Sequence, residues 1–188
     1  MEQKWTNNLN NDEFNLIVSP WYPLLKKSAI EKLRQQLYSQ GMQMQEIWPN
    51  HGFKISMGEN LNSLPYLVLD FPKISGPSFP FVFRTLFWWG KGIYFQAIMA
   101  KELCRQDFFS RAEPNDFIYT GTQIWENDLS KPEYKLMANL NAEELALVQT
   151  EKYVKIVRQI DIKKTDNLFE EAIGFHQNFV ELFQLSAK

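Results

Sequence analysis

Apolar residues are densest between Phe79 and Met99, where the chain reads FPFVFRTLFWWGKGIYFQAIM. Two aromatic-rich runs meet at Gly90-Lys91-Gly92, and glycines between apolar runs are typical of a short hairpin loop because glycine tolerates positive φ. The pattern predicts a central antiparallel β-hairpin over residues 79–99. We expect the rest of the chain to supply its neighbours in the sheet and the layers that cover it.

Both faces of the predicted hairpin are apolar. Successive side chains of a strand point to opposite faces, so the first arm divides into two sets. These are Phe79, Phe81, Phe83, Thr85, Phe87 and Trp89 on one face, and Val82, Arg84, Leu86 and Trp88 on the other. A sheet with one face in water would alternate apolar and polar residues instead. We therefore expect cover on both faces, or a lined cavity on one.

The register of the hairpin depends on the length of its loop. A three-residue loop would place Phe87 opposite Phe95 and Trp88 opposite Tyr94, which are aromatic pairs worth roughly 0.2–1 kcal/mol each. A two-residue loop would place Trp88 opposite Ile93. The sequence leaves the two registers open.

Two amphipathic segments predict helices that pack on the sheet. Ser28 and Glu31 have the spacing of a capping box, and Gly41 suits a helix end, so a first helix is predicted over residues 28–40. A second helix is predicted over residues 166–184, where apolar residues form one broad face. That face consists of Leu168, Phe169, Ala172, Ile173, His176, Phe179, Val180 and Phe183.

Further strands are predicted from short apolar runs bounded by turn residues. They are residues 42–48 and 53–57, paired as a second hairpin, then 64–71, 117–120, 123–125, and a last strand through Val154, Ile156, Ile160 and Ile162. Helix starts are expected at Ser130 and Asn141. The order of elements predicts an α+β fold, with an antiparallel sheet around the hairpin 79–99 and an N-terminal and a C-terminal helix packed on it.

Length and composition favour a single domain over residues 1–188, with the polar residues 1–13 loosely ordered. The net charge of −2 gives no positive field for nucleic acid, so no nucleic-acid partner is expected. Cys104 is the one cysteine and the N-terminus has no secretory signal pattern, so we expect a cytoplasmic location.

The hairpin 79–99 is about as long as a membrane span, but it does not have the composition of one. Arg84, Lys91 and Gln96 lie within it, and charged residues are costly in hydrocarbon. The Gly-Lys-Gly break would also leave backbone groups unpaired there. No membrane partner is expected.

Arg84 is the first candidate for a functional residue. No Asp or Glu occurs between Asp70 and Glu102, so a buried Arg84 has no carboxylate in its own hairpin. An unpaired buried charge is strongly destabilising. The partner is expected to be Asp70, a glutamate of the last helix, or an anionic ligand bound beside Trp88 and Tyr94, unless the guanidinium reaches water at the sheet edge.

The other reactive residues indicate no particular chemistry. His51 lies in a turn and His176 on the apolar face of a helix, which with one cysteine gives no metal-ligand spacing. Gly90-Lys91-Gly92 lacks the later glycine of a phosphate-binding loop. Cys104 is interpreted as a small buried hydrophobe. We therefore assign no metal, no cofactor and no catalytic residue.

These observations favour a non-enzymatic binding module that uses an aromatic-lined sheet face for a small anionic ligand or a protein partner, a second copy of the chain included. The expected ligand-binding residues are Arg84, Trp88, Tyr94 and Gln96. The alternative is an enzyme acting on a small anionic substrate, with Arg84 as its anchor and Asp70 or Glu102 as general base. The two hypotheses differ in whether Arg84 opens into a cavity or is paired in a filled core.

Overall fold

The structure, a computed structural model, describes residues 10–76, 79–104, 108–148, 151–161 and 168–184. The helices are α1 (Asn11–Val18), α2 (Trp21–Ile47), α3 (Ala142–Val148) and α4 (Leu168–Gln184). The strands are β1 (Lys54–Leu61), β2 (Leu64–Phe71), β3 (Phe81–Trp88), β4 (Gly92–Ala100), β5 (Phe117–Tyr119), β6 (Tyr134–Leu136) and β7 (Tyr153–Ile160). The chain divides into two compact units, residues 1–35 and 36–188.

Within the described residues the strands form one antiparallel sheet in the order β1-β2-β3-β4-β7-β5-β6. β7 pairs with β4, so the last strand in sequence lies directly beside the central hairpin. The predicted α+β class is confirmed, with the sheet built around β3 and β4 and helices at both ends of the chain.

The loop of the central hairpin has three residues, but they are residues 89–91 rather than 90–92, because Trp88 pairs with Gly92. Neither predicted register is therefore correct. The pairs that do not form are Phe87–Phe95, Trp88–Tyr94 and Trp88–Ile93. The reason lies in the two glycines: Gly90 holds a φ of +71° in the turn, whereas Gly92, at +139°, already belongs to β4.

Helix α2 extends the predicted helix 28–40 in both directions, so the predicted strand 42–48 and its hairpin with 53–57 are wrong. Its buried residues follow the spacing i, i+3, i+4 and i+7 of a single helical face. They are Leu37, Gln40, Gly41 and Met44. Gly41 does not end the helix but allows a close approach, since a Cβ there would lie 2.7 Å from ring atoms of Phe53. The second hairpin is instead β1–β2.

We expect Gly41→Ala to lower the free energy of unfolding by up to about 2 kcal/mol. The collision of the added methyl group with the Phe53 ring near its base costs about 1–3 kcal/mol, and the higher helix propensity of alanine offsets roughly 1 kcal/mol of it. Gly174→Ala in α4 is the matched control, since no atom lies within 4 Å of its added methyl group. Urea unfolding measures both variants, and stabilisation by both would contradict the close contact.

Two further predictions fail in the segment between β5 and β6. Residues 123–125 form a turn, in which the Glu126 amide donates to the Gln123 carbonyl, and Ser130 leads through another turn into β6 rather than into a helix. In contrast β2 and β5 match the predicted strands 64–71 and 117–120. Asn141 precedes α3 as predicted, where its side chain accepts from the Glu144 amide.

Both ends of the chain extend beyond the described residues. The predicted start of the C-terminal helix at residue 166 and Ile162 of the predicted last strand lie outside them, and α4 is described from Leu168. Of the segment 1–13, residues 1–9 also lie outside. Asn10 caps α1, and its side chain and that of Glu13 form a reciprocal capping box.

The two faces of the sheet are covered differently. The helix face packs on α4 and on residues 36–47 of α2, as the ring contact between Phe83 and His176 and the hydrogen bond from Gln40 to Thr85 indicate. The other face lies beneath residues 121–132, which join β5 to β6 and which we call the cover segment. We refer to this second face as the covered face.

Candidate functional site

A row of polar side chains crosses the covered face, because Asp70, Arg84 and Gln96 pair with one another across β2, β3 and β4. The Arg84 Nε lies 2.6 Å from Asp70 Oδ1 and its Nη2 lies 3.0 Å from Oδ2, so the guanidinium donates to both carboxylate oxygens. It also lies 4.6 Å from the ring centroid of Trp125 in the cover segment. Of the partners expected for Arg84, Asp70 is the one that binds it in the structure.

Gln96 continues this row and contacts the cover segment. Its Nε2 donates to Oδ1 of Asn127 at 2.9 Å, and Asn127 in turn donates through Nδ2 to the Trp125 carbonyl at 2.7 Å. The Gln96 Oε1 is buried and has no hydrogen-bond partner in the described ranges. A buried acceptor without a donor is costly, so this oxygen is a point at which a ligand donor would be favourable.

Trp88 and Tyr94 lie on the same face, with ring centroids 6.4 Å apart. Trp88 Nε1 donates to the Leu61 carbonyl at 3.0 Å, and the Tyr94 hydroxyl donates to the Lys91 carbonyl at 3.1 Å. The structure therefore brings the predicted residues of the site to one face of the hairpin, and each has a partner within the protein. Ligand binding by them stays a prediction.

Lys155 is the residue of this site that the sequence analysis missed. It is 0% exposed, and its Nζ donates to the carbonyls of Ile124 (3.2 Å) and Glu126 (2.5 Å) in the cover segment. The rings of Tyr119 and Tyr134 lie 5.6 and 5.5 Å from Nζ, within reach of a cation–π interaction. Lys155 therefore joins β7 to the cover segment.

A signal for Lys155 was present in the sequence. The apolar alternation through Val154 and Ile156 places Lys155 on the opposite face of the same strand, together with Val157. Because the covered face of the hairpin is itself apolar, a lysine facing it in a neighbouring strand predicts a buried cation.

Burial governs the titration of this face. It lowers the pKa of Lys155 well below the usual range, and the charge of Arg84 lowers it further, while Glu126 acts in the opposite direction. Burial also raises the pKa of Tyr119 and of Tyr134. Both phenols are therefore neutral at physiological pH. An anion next to Lys155 would reduce the free-energy cost of charging its buried amine.

The helix face contains a second buried polar cluster. Gln40 Nε2 donates to Thr85 Oγ1 at 2.8 Å and lies 3.4 Å from His176 Nδ1, and each of the three residues is 1% exposed. His176 Nε2 finds no hydrogen-bond partner in the part of the chain that the structure describes. Burial lowers the pKa of His176 to about 3, so the imidazole is neutral at physiological pH.

A groove of about 550 Å³ lies beside Arg158, between β7 and α4. Arg158 donates to both oxygens of Asp116, at 2.7 Å from Nε and 2.8 Å from Nη2, and its Nη1 lies 2.9 Å from Glu113 Oε1. The groove is also lined by Glu171. Its arginine is thus matched by carboxylates, and the groove has no cationic side chain left for an anion among its described lining residues.

The enzymatic alternative required a carboxylate near Arg84 as general base. Asp70 uses both oxygens for the guanidinium, and Glu102 is exposed, six residues beyond Gln96 or roughly 20 Å along the chain. Burial and the charge of Glu102 raise the pKa of the Cys104 thiol to about 12, which makes it a poor nucleophile. No group of three or more His, Cys, Asp or Glu among the described residues could hold a metal ion.

Helices in the described ranges are all too short or too polar to cross a bilayer. A comparison with known proteins finds no matching family model, no matching curated protein and no matching solved structure.

Proposed function

We propose that the chain is a non-enzymatic binding module that takes a small anionic ligand on its covered face, beneath the cover segment. The observation that carries this proposal is the environment of Lys155. Its ammonium group is fully buried and donates to two main-chain carbonyls of the cover segment. A carboxylate or phosphate oxygen would be a stronger acceptor for the same ammonium group than a carbonyl, since both partners of the hydrogen bond would then be charged.

The charge balance of the covered face also favours an anion. Asp70 neutralises Arg84, whereas no carboxylate oxygen in the described residues lies within 4 Å of Lys155 Nζ. Arg84 is close enough to lower the pKa of Lys155 through its charge. An anionic group next to Lys155 would offset both this repulsion and the desolvation of the ammonium group.

The cover segment is held by polar contacts that a ligand can replace, and also by Leu129, which packs against the buried cluster of this face. The hydrogen bonds from Lys155, from Gln96 and from the Tyr134 hydroxyl all end on it. Trp125, which stacks on Arg84, is 43% exposed. Each of the two hydrogen bonds from the charged Lys155 contributes about 1.5–3 kcal/mol and each of the other two about 0.5–1.5 kcal/mol, so displacement of the segment costs about 4–9 kcal/mol unless the ligand replaces these bonds.

The aromatic rings of the covered face favour a ligand that has a planar body in addition to its anionic group. Trp88, Tyr94, Tyr119 and Tyr134 belong to one buried cluster on this face. Aromatic side chains bind flat apolar groups well. We therefore propose a ligand that combines one carboxylate or phosphate group with a planar, partly apolar body.

The test is calorimetric titration of the full chain with phenyl phosphate and benzoate, and with phenol as the uncharged analogue. We expect the anions to bind at least tenfold more tightly than phenol. Lys155→Met should weaken anion binding by about 10- to 100-fold, since a hydrogen bond to a charged group contributes about 1.5–3 kcal/mol.

Lys135→Met is the matched control. Lys135 lies on the surface, with its side chain 41% exposed, and pairs with Glu144, so this variant should bind the anions as the wild type does. Circular dichroism confirms that each variant is folded. Equal binding of anions and phenol, or full anion binding by Lys155→Met, would contradict the proposal.

The other uses expected for this chain have weaker support. A protein partner on the covered face would need the cover segment displaced along its whole length, and the enzymatic alternative lacks a free base next to Arg84 among the described contacts. A cytoplasmic location belongs to the same proposal and rests on Cys104, which is a free thiol.

A further inference from the structure

An exposed apolar surface lies on α1 and the start of α2. It consists of eight side chains, which we call the N-terminal apolar surface: Phe14, Leu16, Ile17, Val18, Trp21, Tyr22, Leu24 and Leu25. Their exposed fractions range from 45% for Tyr22 to 69% for Trp21. None of residues 10–35 is buried. Most helices in proteins are stabilised by tertiary packing of an apolar face, so this surface requires a partner.

We propose that two copies of the chain associate through the N-terminal apolar surface as a two-fold symmetric dimer. In this dimer α1 and the first turns of α2 of one copy pack on the same elements of the other. The proposal is independent of the anion site, because it uses no residue of the covered face.

The exposed apolar area of the N-terminal apolar surface is comparable to the area that each partner of a stable dimer buries. Large apolar side chains bury on the order of 150–250 Å² each, so eight of them at these exposures present roughly 1,000 Å². A standard interface takes about 800 Å² from each partner. Summed over the eight side chains, the exposed apolar area is therefore comparable to what one side of such an interface takes.

The distribution of charge favours a second copy running antiparallel. Asp12, in the first turn of α1, precedes the apolar run, and Lys27 follows it in α2; both are exposed. In an antiparallel two-fold arrangement Asp12 of one copy can pair with Lys27 of the other, and this happens twice. Opposite charges that flank the same apolar run along the chain thus allow two copies to pair.

The same features argue against a membrane surface as the partner. Interfacial helices have a defined apolar stripe with Lys and Arg along the polar face. On α1 the apolar positions Phe14, Leu16, Ile17 and Val18 spread over more than half of the helix circumference, and Asp12 and Glu13 precede them. A helix that is apolar on most sides is suited to burial between other helices.

Sedimentation equilibrium of the full chain from about 1 to about 100 µM tests the proposal. We expect a mass of twice 22.2 kDa at the upper concentrations. Leu25→Glu should weaken the dimer at least 100-fold, because each dimer contains the buried charge twice. Leu147→Glu in α3 is the matched control, with 67% exposure against 68% for Leu25, and should leave the dimer unchanged.

Charge reversal tests the antiparallel arrangement. Lys27→Glu should weaken the dimer about three- to tenfold, since exposed ion pairs contribute little individually but occur twice here. Combining Lys27→Glu with Asp12→Lys should restore wild-type association. Circular dichroism checks folding, which these exposed helical substitutions should preserve.

Three results would overturn the proposal. One is a wild type that stays monomeric throughout the concentration range, whether or not it binds vesicles of phosphatidylcholine and phosphatidylserine. A second is a dimer that Leu25→Glu leaves intact. The third is a double variant, Lys27→Glu with Asp12→Lys, that associates no better than Lys27→Glu alone.

Discussion

Lowering the pH from 7 to 4 should reduce the free energy of unfolding by about 3 kcal/mol through His176 alone, since each unit of pKa shift corresponds to about 1.4 kcal/mol. The pKa of His176 is about 3 in the folded protein and 6.5 in an unfolded chain. Below pH 6.5 the unfolded chain therefore binds a proton that the folded chain does not, and stability falls as the pH decreases. The effect is complete only below pH 3, where His176 of the folded chain also binds a proton.

Urea unfolding of the wild type and of His176→Phe between pH 7 and pH 4 measures this contribution. Phenylalanine keeps an aromatic ring among Phe83, Phe95 and Phe175 but does not titrate. The difference in stability between the two proteins should change by about 3 kcal/mol over this range, in favour of the variant at low pH. His51→Gln, at an exposed position, is the control. Parallel pH profiles for wild type and His176→Phe would contradict the prediction.

Asp116→Ala should destabilise the protein by about 3–5 kcal/mol, the second large effect, because it leaves a partly buried guanidinium without its main partner. Asp116 is 1% exposed, binds Arg158 through both oxygens, and also accepts from the Glu113 amide. Thermal and urea unfolding measure the loss. Adding Arg158→Met to Asp116→Ala should recover part of it, since the stranded charge is then removed.

Glu113→Ala provides the matched control for this ion pair. Glu113 contacts the same Arg158, but its side chain is 60% exposed, so we expect a loss of no more than about 1 kcal/mol. A similar loss for Glu113→Ala and Asp116→Ala would show that burial does not determine the strength of these two contacts.

The sequence predicted most of the elements that have a strong local pattern. The central hairpin, the strand 64–71 and the C-terminal helix each combine a clear apolar period with turn residues at their ends. The absence of carboxylates from the hairpin also limited the partners of Arg84 to a short set that included Asp70. In these cases the local apolar pattern and the positions of charged residues along the sequence were sufficient to predict the element or the ion pair.

The failures share a different cause, because they depend on contacts between distant segments. The sequence predicts a helix end at Gly41, whereas in the structure Gly41 makes room for the Phe53 ring, which only the fold brings there. The hairpin register depended on which of two glycines would begin β4, and either can adopt positive φ. Lys155 is bound by carbonyls of residues about 30 positions away, in a segment with little regular structure.

The cover segment begins and ends at two hydrogen-bonded neighbours, since the Thr120 amide donates to the Glu133 carbonyl and Tyr119 pairs with Tyr134. Both ends of this loop are thus anchored by the sheet itself, and its length is not constrained by the helices on the opposite side. The middle of the segment is fixed in a different way, because it supplies the acceptors of Lys155 Nζ and Gln96 Nε2, and Leu129 packs on the buried cluster. Replacing residues 121–132 with a loop that lacks these contacts would leave two buried polar groups without partners, so this irregular segment belongs to the core of the protein as much as the strands do.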